Sequence, residues 1–116
     1  MPFPYETAQP TRAAIDALPG AVMLDFGTNW CSVCNAASPL VDAALAGQDG
    51  VRHIKVEDGA GRALGRSFGV KLWPTLVLLR DGSEVGRLVR PQSFEAIAQA
   101  LAQLVLDGGA ASAADP

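Results

Sequence analysis

Both cysteines of this chain lie in one short stretch, Trp30-Cys31-Ser32-Val33-Cys34, which directly follows the apolar run Ala21-Val22-Met23-Leu24-Asp25-Phe26. A disulfide at this spacing closes so small a loop that it barely restricts the unfolded chain, so it cannot staple the fold. The 116 residues must instead be held by one hydrophobic core, which a chain of this length can bury. The apolar run suits a strand covered on both faces. From Cys31 onward Val33, Ala36, Ala37, Leu40, Val41, Ala44 and Leu45 recur at helical spacing up to Gly47. The pair therefore sits at a strand, turn and helix junction, a position that suits chemistry better than scaffolding.

The remaining pattern alternates in the same way. Thr11 to Leu18 is predicted as a helix stopped by Pro19-Gly20, Val51 to Glu57 as a strand, and Ala60 to Phe68 as a short helix closed by Gly69. Thr75 to Leu79 reads as a strand, Asp81-Gly82 as a hairpin turn and Glu84 to Val89 as the returning strand. Phe94, Ile97, Ala98, Leu101, Leu104 and Val105 form the stripe of a closing helix, and Pro39 should kink the helix after Cys34. A weak extra strand is expected near Phe3 to Tyr5. Strands separated by helices predict parallel pairing with right-handed crossovers and an antiparallel hairpin at the edge, an α/β sheet covered on both faces. One domain is expected over 1–107, with a disordered tail over 108–116.

Nine basic against twelve acidic side chains, without a block of like charge, exclude nucleic acid and anionic membrane as expected partners. No apolar run approaches the roughly 18 residues of a membrane span. Met1-Pro2-Phe3-Pro4-Tyr5-Glu6 lacks the basic start and apolar stretch of a secretion signal, so a cytoplasmic location is expected, or a periplasmic one if a signal has been removed. A single close cysteine pair there reads as redox or metal chemistry. Zinc would need two further ligands, and the chain offers only His53 unless a dimer pools two pairs. The expectation is a monomer with no metal and no cofactor.

At the first turn of a helix, exposed amides and the positive end of the helix dipole favour a thiolate on Cys31. Cys34, one turn further in, is shielded. Such an asymmetry defines an attacking and a resolving thiol. Asp25 is a carboxylate in an otherwise apolar strand; burial there makes it either a proton shuttle or a satisfied core acid. Trp30 reads as a contact residue beside the motif or as a cap on the core. Lys55 reads equally as a charge partner for Asp25 or a solvated strand lysine, and His53 as a surface or satisfied residue rather than a ligand.

Asp25-Phe26, Trp30 to Cys34, Pro39, Gly69, Pro74-Thr75 and Gly82 together resemble the thioredoxin family, over about Val22 to Leu101. The resemblance implies a thioredoxin fold, with a central mixed four- to five-stranded sheet flanked by helices on both faces. It also implies a thiol-disulfide oxidoreductase that acts on protein disulfides, chiefly as a reductase, with an electron donor that the sequence does not name. By that resemblance Cys31 attacks and Cys34 resolves. Asp25 takes the proton of Cys34, Lys55 pairs with Asp25, and Pro74 is cis and faces the cysteines to receive an extended substrate. Trp30, Trp73, Pro74 and Arg90 would form the docking surface. The chain departs from the family at Ser32-Val33 in place of Gly-Pro, and at Gly27-Thr28-Asn29 where a second tryptophan usually begins the loop. It departs again at Trp73 before the proline and at Arg90 in place of a glycine. The rival reading is an interaction module of the same fold without redox turnover.

Overall fold

The computed structural model describes residues 4–114, with side chains described for 4–106. Eight elements follow in order: α1 (Arg12–Asp16), β1 (Ala21–Gly27), α2 (Ser32–Ala46), β2 (Val51–Glu57), α3 (Ala63–Ser67), β3 (Thr75–Arg80), β4 (Ser83–Val89) and α4 (Phe94–Ala114). The sheet order is β2-β1-β3-β4, a mixed four-stranded α/β arrangement. β1 is buried along its whole length, so both parities of its side chains meet a core. Val22, Leu24 and Phe26 face Ile15, Leu64 and Phe68 on one side of the sheet. Ala21 and Met23 face Val41 and Ala44 of α2 and Ile97, Leu101 and Leu104 of α4 on the other. Each such aliphatic side chain contributes about 1.5–3 kcal/mol through burial.

One pairing differs from expectation. β1 and β2 are parallel across the α2 crossover, but β3 runs antiparallel to β1, with Phe26 opposite Thr75. A parallel β3 would require the chain to travel back along the sheet after β2. Instead the connection over residues 58–74 begins and ends at the same end of the sheet, with Glu57 opposite Gly27 and Thr75 opposite Phe26. The consequence is functional: Pro74, entering β3, lies at the same sheet end as Gly27 and the cysteines that follow β1.

The element bounds differ in smaller ways. α3 starts at Ala63 rather than Ala60 because Gly59 and Gly61 hold φ of 131° and 77°, outside helical space. Pro39 lies inside α2. At the hairpin Asp81 and Gly82 both have positive φ, the signature of a tight primed turn. α4 continues past Asp107 to Ala114, so the segment expected to be a disordered tail is helical that far. Its alanines are the strongest helix formers. The last two residues of that expected tail lie outside the described residues. The extra strand is reduced to a single parallel bridge between Glu6 and Val56, while Phe3 lies outside the described residues. Among the described residues no helix is long and apolar enough to cross a membrane.

Candidate active site

Cys31 is the N-cap of α2, with extended backbone at φ −82° and ψ 116°. Its carbonyl accepts the first helical bond from Asn35 at 3.0 Å, and its Sγ accepts the Cys34 amide at 3.2 Å. A sulfur here plays the part that a serine oxygen plays at other helix starts. A thiolate accepts such a bond better than a thiol does. Cys34 is one turn inside, 1% exposed against 9% for Cys31, and both are free thiols. Burial first, and then the neighbouring Cys31 sulfur, pushes the Cys34 thiol up to about 12, with the Thr28 backbone amide acting in the opposite direction. Cys34 therefore keeps its proton at neutral pH until something removes it.

Asp25 lies buried on β1, on the sheet face that α2 covers. Its Oδ1 accepts the Tyr5 hydroxyl at 2.8 Å, and its Oδ2 lies 3.0 Å from His53 Nε2. Lys55 is the register partner of Asp25 across β1 and β2, and its ammonium stands 4.3 Å over the Tyr5 ring. The pairing described for each Asp25 oxygen thus comes from Tyr5 and His53, and the described contact of Lys55 is aromatic. The sequence pattern assigns Tyr5 no role at the site, and His53, read from it as a surface or satisfied residue, is a satisfied one. Parity offered a signal for His53, because on adjacent parallel strands residues 53 and 55 share the face of residues 23 and 25. For Tyr5 the signal was that a buried tyrosine requires a partner for its hydroxyl.

The Gly27-Thr28-Asn29 loop does not leave the site underpacked. A Cβ added at Gly27 would lie 2.6 Å from Cys34 Sγ and 2.8 Å from both Cζ and Oη of Tyr5, so these two side chains occupy that space. Asn29 holds the intruding segment by accepting the Tyr5 amide at 2.7 Å and donating to the Tyr5 carbonyl at 3.4 Å.

At the rim the Trp73–Pro74 peptide is cis and Pro74 is buried. Trp73 packs against the cluster of Tyr5, Cys31 and Cys34. Its indole N–H donates to Asp58 Oδ2 at 2.9 Å. Trp30, 74% exposed, meets the Trp73 ring edge-on at 5.7 Å between centroids. Arg90 holds φ of 50°, a left-handed conformation that favours glycine. Its amide donates to the Pro74 carbonyl at 2.9 Å and its Nε to the Trp73 carbonyl at 2.8 Å. An apolar trough lined by Val33, Ala36, Leu40 and Pro91 borders the pair along α2. Among the described residues no group of three or more histidine, cysteine or acidic side chains is placed to hold a metal ion.

The family model for thioredoxin matches residues 6–103. A thioredoxin of Chlamydia muridarum is 37% identical over 70 residues, covering 60% of this chain and 69% of that protein. Thioredoxin 2 from Pseudomonas aeruginosa PAO1, solved in its reduced form, is 49% identical and superposes with a TM-score of 0.83 over 93% of this chain and all of that one. A thioredoxin mutant from Halobacterium salinarum is 29% identical with a TM-score of 0.72, over 87% and 88% of the two chains. On the match along the chain and the two thiols at the α2 start, the chain belongs to the thioredoxin family and is a thioredoxin-type thiol-disulfide oxidoreductase with Cys31 and Cys34 as its CxxC pair.

Proposed function

We propose that the chain reduces protein disulfides as a cytoplasmic monomer, with Cys31 as the attacking and Cys34 as the resolving thiol. The observation that carries this reading is the contrast between the two sulfurs: Cys31, 9% exposed, caps the helix start, while Cys34, 1% exposed, has its thiol pushed up to about 12. Cys31 thiolate attacks a substrate disulfide, joins one sulfur and releases the other. Cys34 then attacks Cys31, the second substrate sulfur leaves, and the protein carries the oxidised pair until a donor returns two electrons. Asp25, reached by the Tyr5 hydroxyl, is the proton acceptor in this scheme, and the Lys55 ammonium stands over the Tyr5 ring.

Trp30, Trp73, Pro74 and Arg90 form the docking surface. Trp73 adds an indole where a smaller residue would leave room, and Arg90 occupies the Trp73 carbonyl and adds a positive charge. Partners able to dock here differ from those of a general thioredoxin, and the usual reductase should turn the protein over poorly. The test is a redox titration in dithiol buffers read by alkylation, run beside a reductase-coupled insulin assay. A midpoint near about −270 mV with slow coupled turnover supports the proposal. A midpoint near about −180 mV assigns the chain to disulfide formation or isomerisation instead, and efficient coupled turnover refutes the docking argument.

A further inference from the structure

We propose that the Tyr5 hydroxyl relays the proton from Cys34 to Asp25, so that a side chain of the N-terminal segment takes part in resolving the mixed disulfide. The inference rests on Cys34 being the resolving thiol. Tyr5 is 5% exposed and donates to Asp25 Oδ1 at 2.8 Å. The same hydroxyl and the Cys34 sulfur close over Gly27 side by side, since a Cβ added there would stand 2.8 Å from Tyr5 Oη and 2.6 Å from Cys34 Sγ, and Tyr5, Cys31 and Cys34 share one buried cluster. A phenol oxygen has one proton to give and lone pairs to receive, so it can donate to a carboxylate while accepting from a thiol.

The segment is held for this task rather than draped over the surface. Asn29 brackets the Tyr5 backbone from both sides. The Glu6 amide donates to the Lys55 carbonyl at 3.2 Å, and the Glu57 amide donates to the Glu6 carbonyl at 2.9 Å, which fixes the segment along β2. Gly27 keeps the space open, since any larger residue would drive a Cβ between the Tyr5 hydroxyl and the Cys34 sulfur. The ionisable groups around the hydroxyl are Cys31 and Cys34 from the α2 start, Asp25 on β1, and His53 and Lys55 on β2.

The step balances with two protons in flight. The Cys34 S–H proton passes to Tyr5 Oη as the Tyr5 proton passes to Asp25 Oδ1. The freed Cys34 sulfur attacks Cys31 Sγ, forming the Cys31–Cys34 bond as the Cys31–substrate bond breaks and the electron pair leaves on the substrate sulfur. Tyr5 starts and ends neutral. Burial and the adjacent Asp25 charge hold its hydroxyl far above the ordinary tyrosine range, which disfavours a tyrosinate intermediate and favours the concerted transfer.

Rapid mixing of the reduced protein with dithiobis-nitrobenzoate separates the steps, because one thionitrobenzoate leaves when Cys31 attacks and a second when Cys34 resolves. Tyr5→Phe keeps the ring and removes only the relay. It is expected to slow the second release at least about tenfold near neutral pH and displace its pH profile upward, with the first release unchanged. Asp25→Asn should slow the second release too, and Tyr5→Phe should then add almost nothing. An unchanged second release, equal slowing of both releases, or additive losses in the double variant overturns the relay. Absence of a second release from the wild type overturns the resolving role of Cys34 instead. Where Tyr5→Phe fails to fold, the second step of the wild type in mixed light and heavy water decides: a curved proton inventory supports two protons moving together, and a straight one overturns the relay.

Discussion

Gly27→Ala adds one methyl group to a strand whose backbone accepts it, so its cost reports only on what surrounds the position. The new Cβ would stand 2.6 Å from Cys34 Sγ and 2.8 Å from Tyr5 Cζ and Oη. Carbon contacts are most favourable at about 3.5–4.0 Å, so each approach is roughly 1 Å too close. Neither neighbour yields freely. Cys34 is fixed in the first turn of α2, and Tyr5 is tied at its hydroxyl to Asp25 and at its backbone to Asn29. Overpacking of this kind costs about 1–3 kcal/mol. If Tyr5 moves away to relieve it, Asp25 Oδ1 loses its donor at a cost of about 1–3 kcal/mol. By either route the expected destabilisation of the reduced protein is about 1–3 kcal/mol, or roughly 4–12 °C in Tm for a domain of this size. Urea denaturation with an unchanged slope measures it. Gly47→Ala is the control: its Cβ meets only the Ala44 carbonyl at 3.9 Å and its φ of −93° suits alanine, so a change within about 1 kcal/mol, toward greater stability, is expected. A loss below about 0.5 kcal/mol for Gly27→Ala would refute the wedge of Tyr5 and Cys34 over that glycine.

Other consequences can be checked in the same assays. The Cys34 thiol titrates near about 12 in the folded protein against 9.0 ordinarily, so between these values the native state holds a proton that the unfolded chain has released. This contribution is fully present below about pH 9 and is lost as pH rises toward 12. The stability of the reduced protein should therefore fall through that window relative to Cys34→Ser, and a parallel course of the two would count against it. Leu101 is fully buried between α4 and the sheet, so Leu101→Ala should cost about 2–5 kcal/mol by denaturant titration. Glu84 meets Arg87 at 2.6 and 2.8 Å, and this pairing holds its carboxyl below the usual range. Both groups are part-exposed, so Glu84→Gln should cost no more than about 1 kcal/mol. The depressed carboxyl contributes above the ordinary carboxylate range and ceases to as pH falls through its lowered value. The gap to wild type should thus close in acid and in high salt, and a gap that persists there would point to packing.

What the sequence carried plainly was local. An apolar run, a turn and a helical stripe fall in consecutive residues, so the position of Cys31 at a helix start and Cys34 one turn within could be read from spacing alone. The antiparallel course of β3 could not, because alternation of strands and helices suggests crossovers, and residues 58–74 are long enough either to retrace the strand or to stay at one end of the sheet. α4 runs on to Ala114 for a related reason. The eye stops at Gly108 and Gly109, while the alanines beyond them continue to favour helix.

The hardest features were those in which a missing side chain in one segment is answered by a side chain in another. Gly27 and Asn29, taken singly, look like losses of packing next to the cysteines. With Tyr5 they form one unit: glycine opens the space, tyrosine fills it and reaches Asp25, and asparagine holds the tyrosine's backbone. None of the three has a local pattern that signals it, since complementarity between a hole and its filler has no periodicity along the chain. Such a unit changes as a set. Restoring a large residue at position 27 without removing Tyr5 would crowd the site, and removing Tyr5 alone would leave Asp25 without one of its donors. The residues beside the active-site strand are therefore one arrangement, centred on Tyr5, which packs with Cys34 over Gly27 and donates to Asp25.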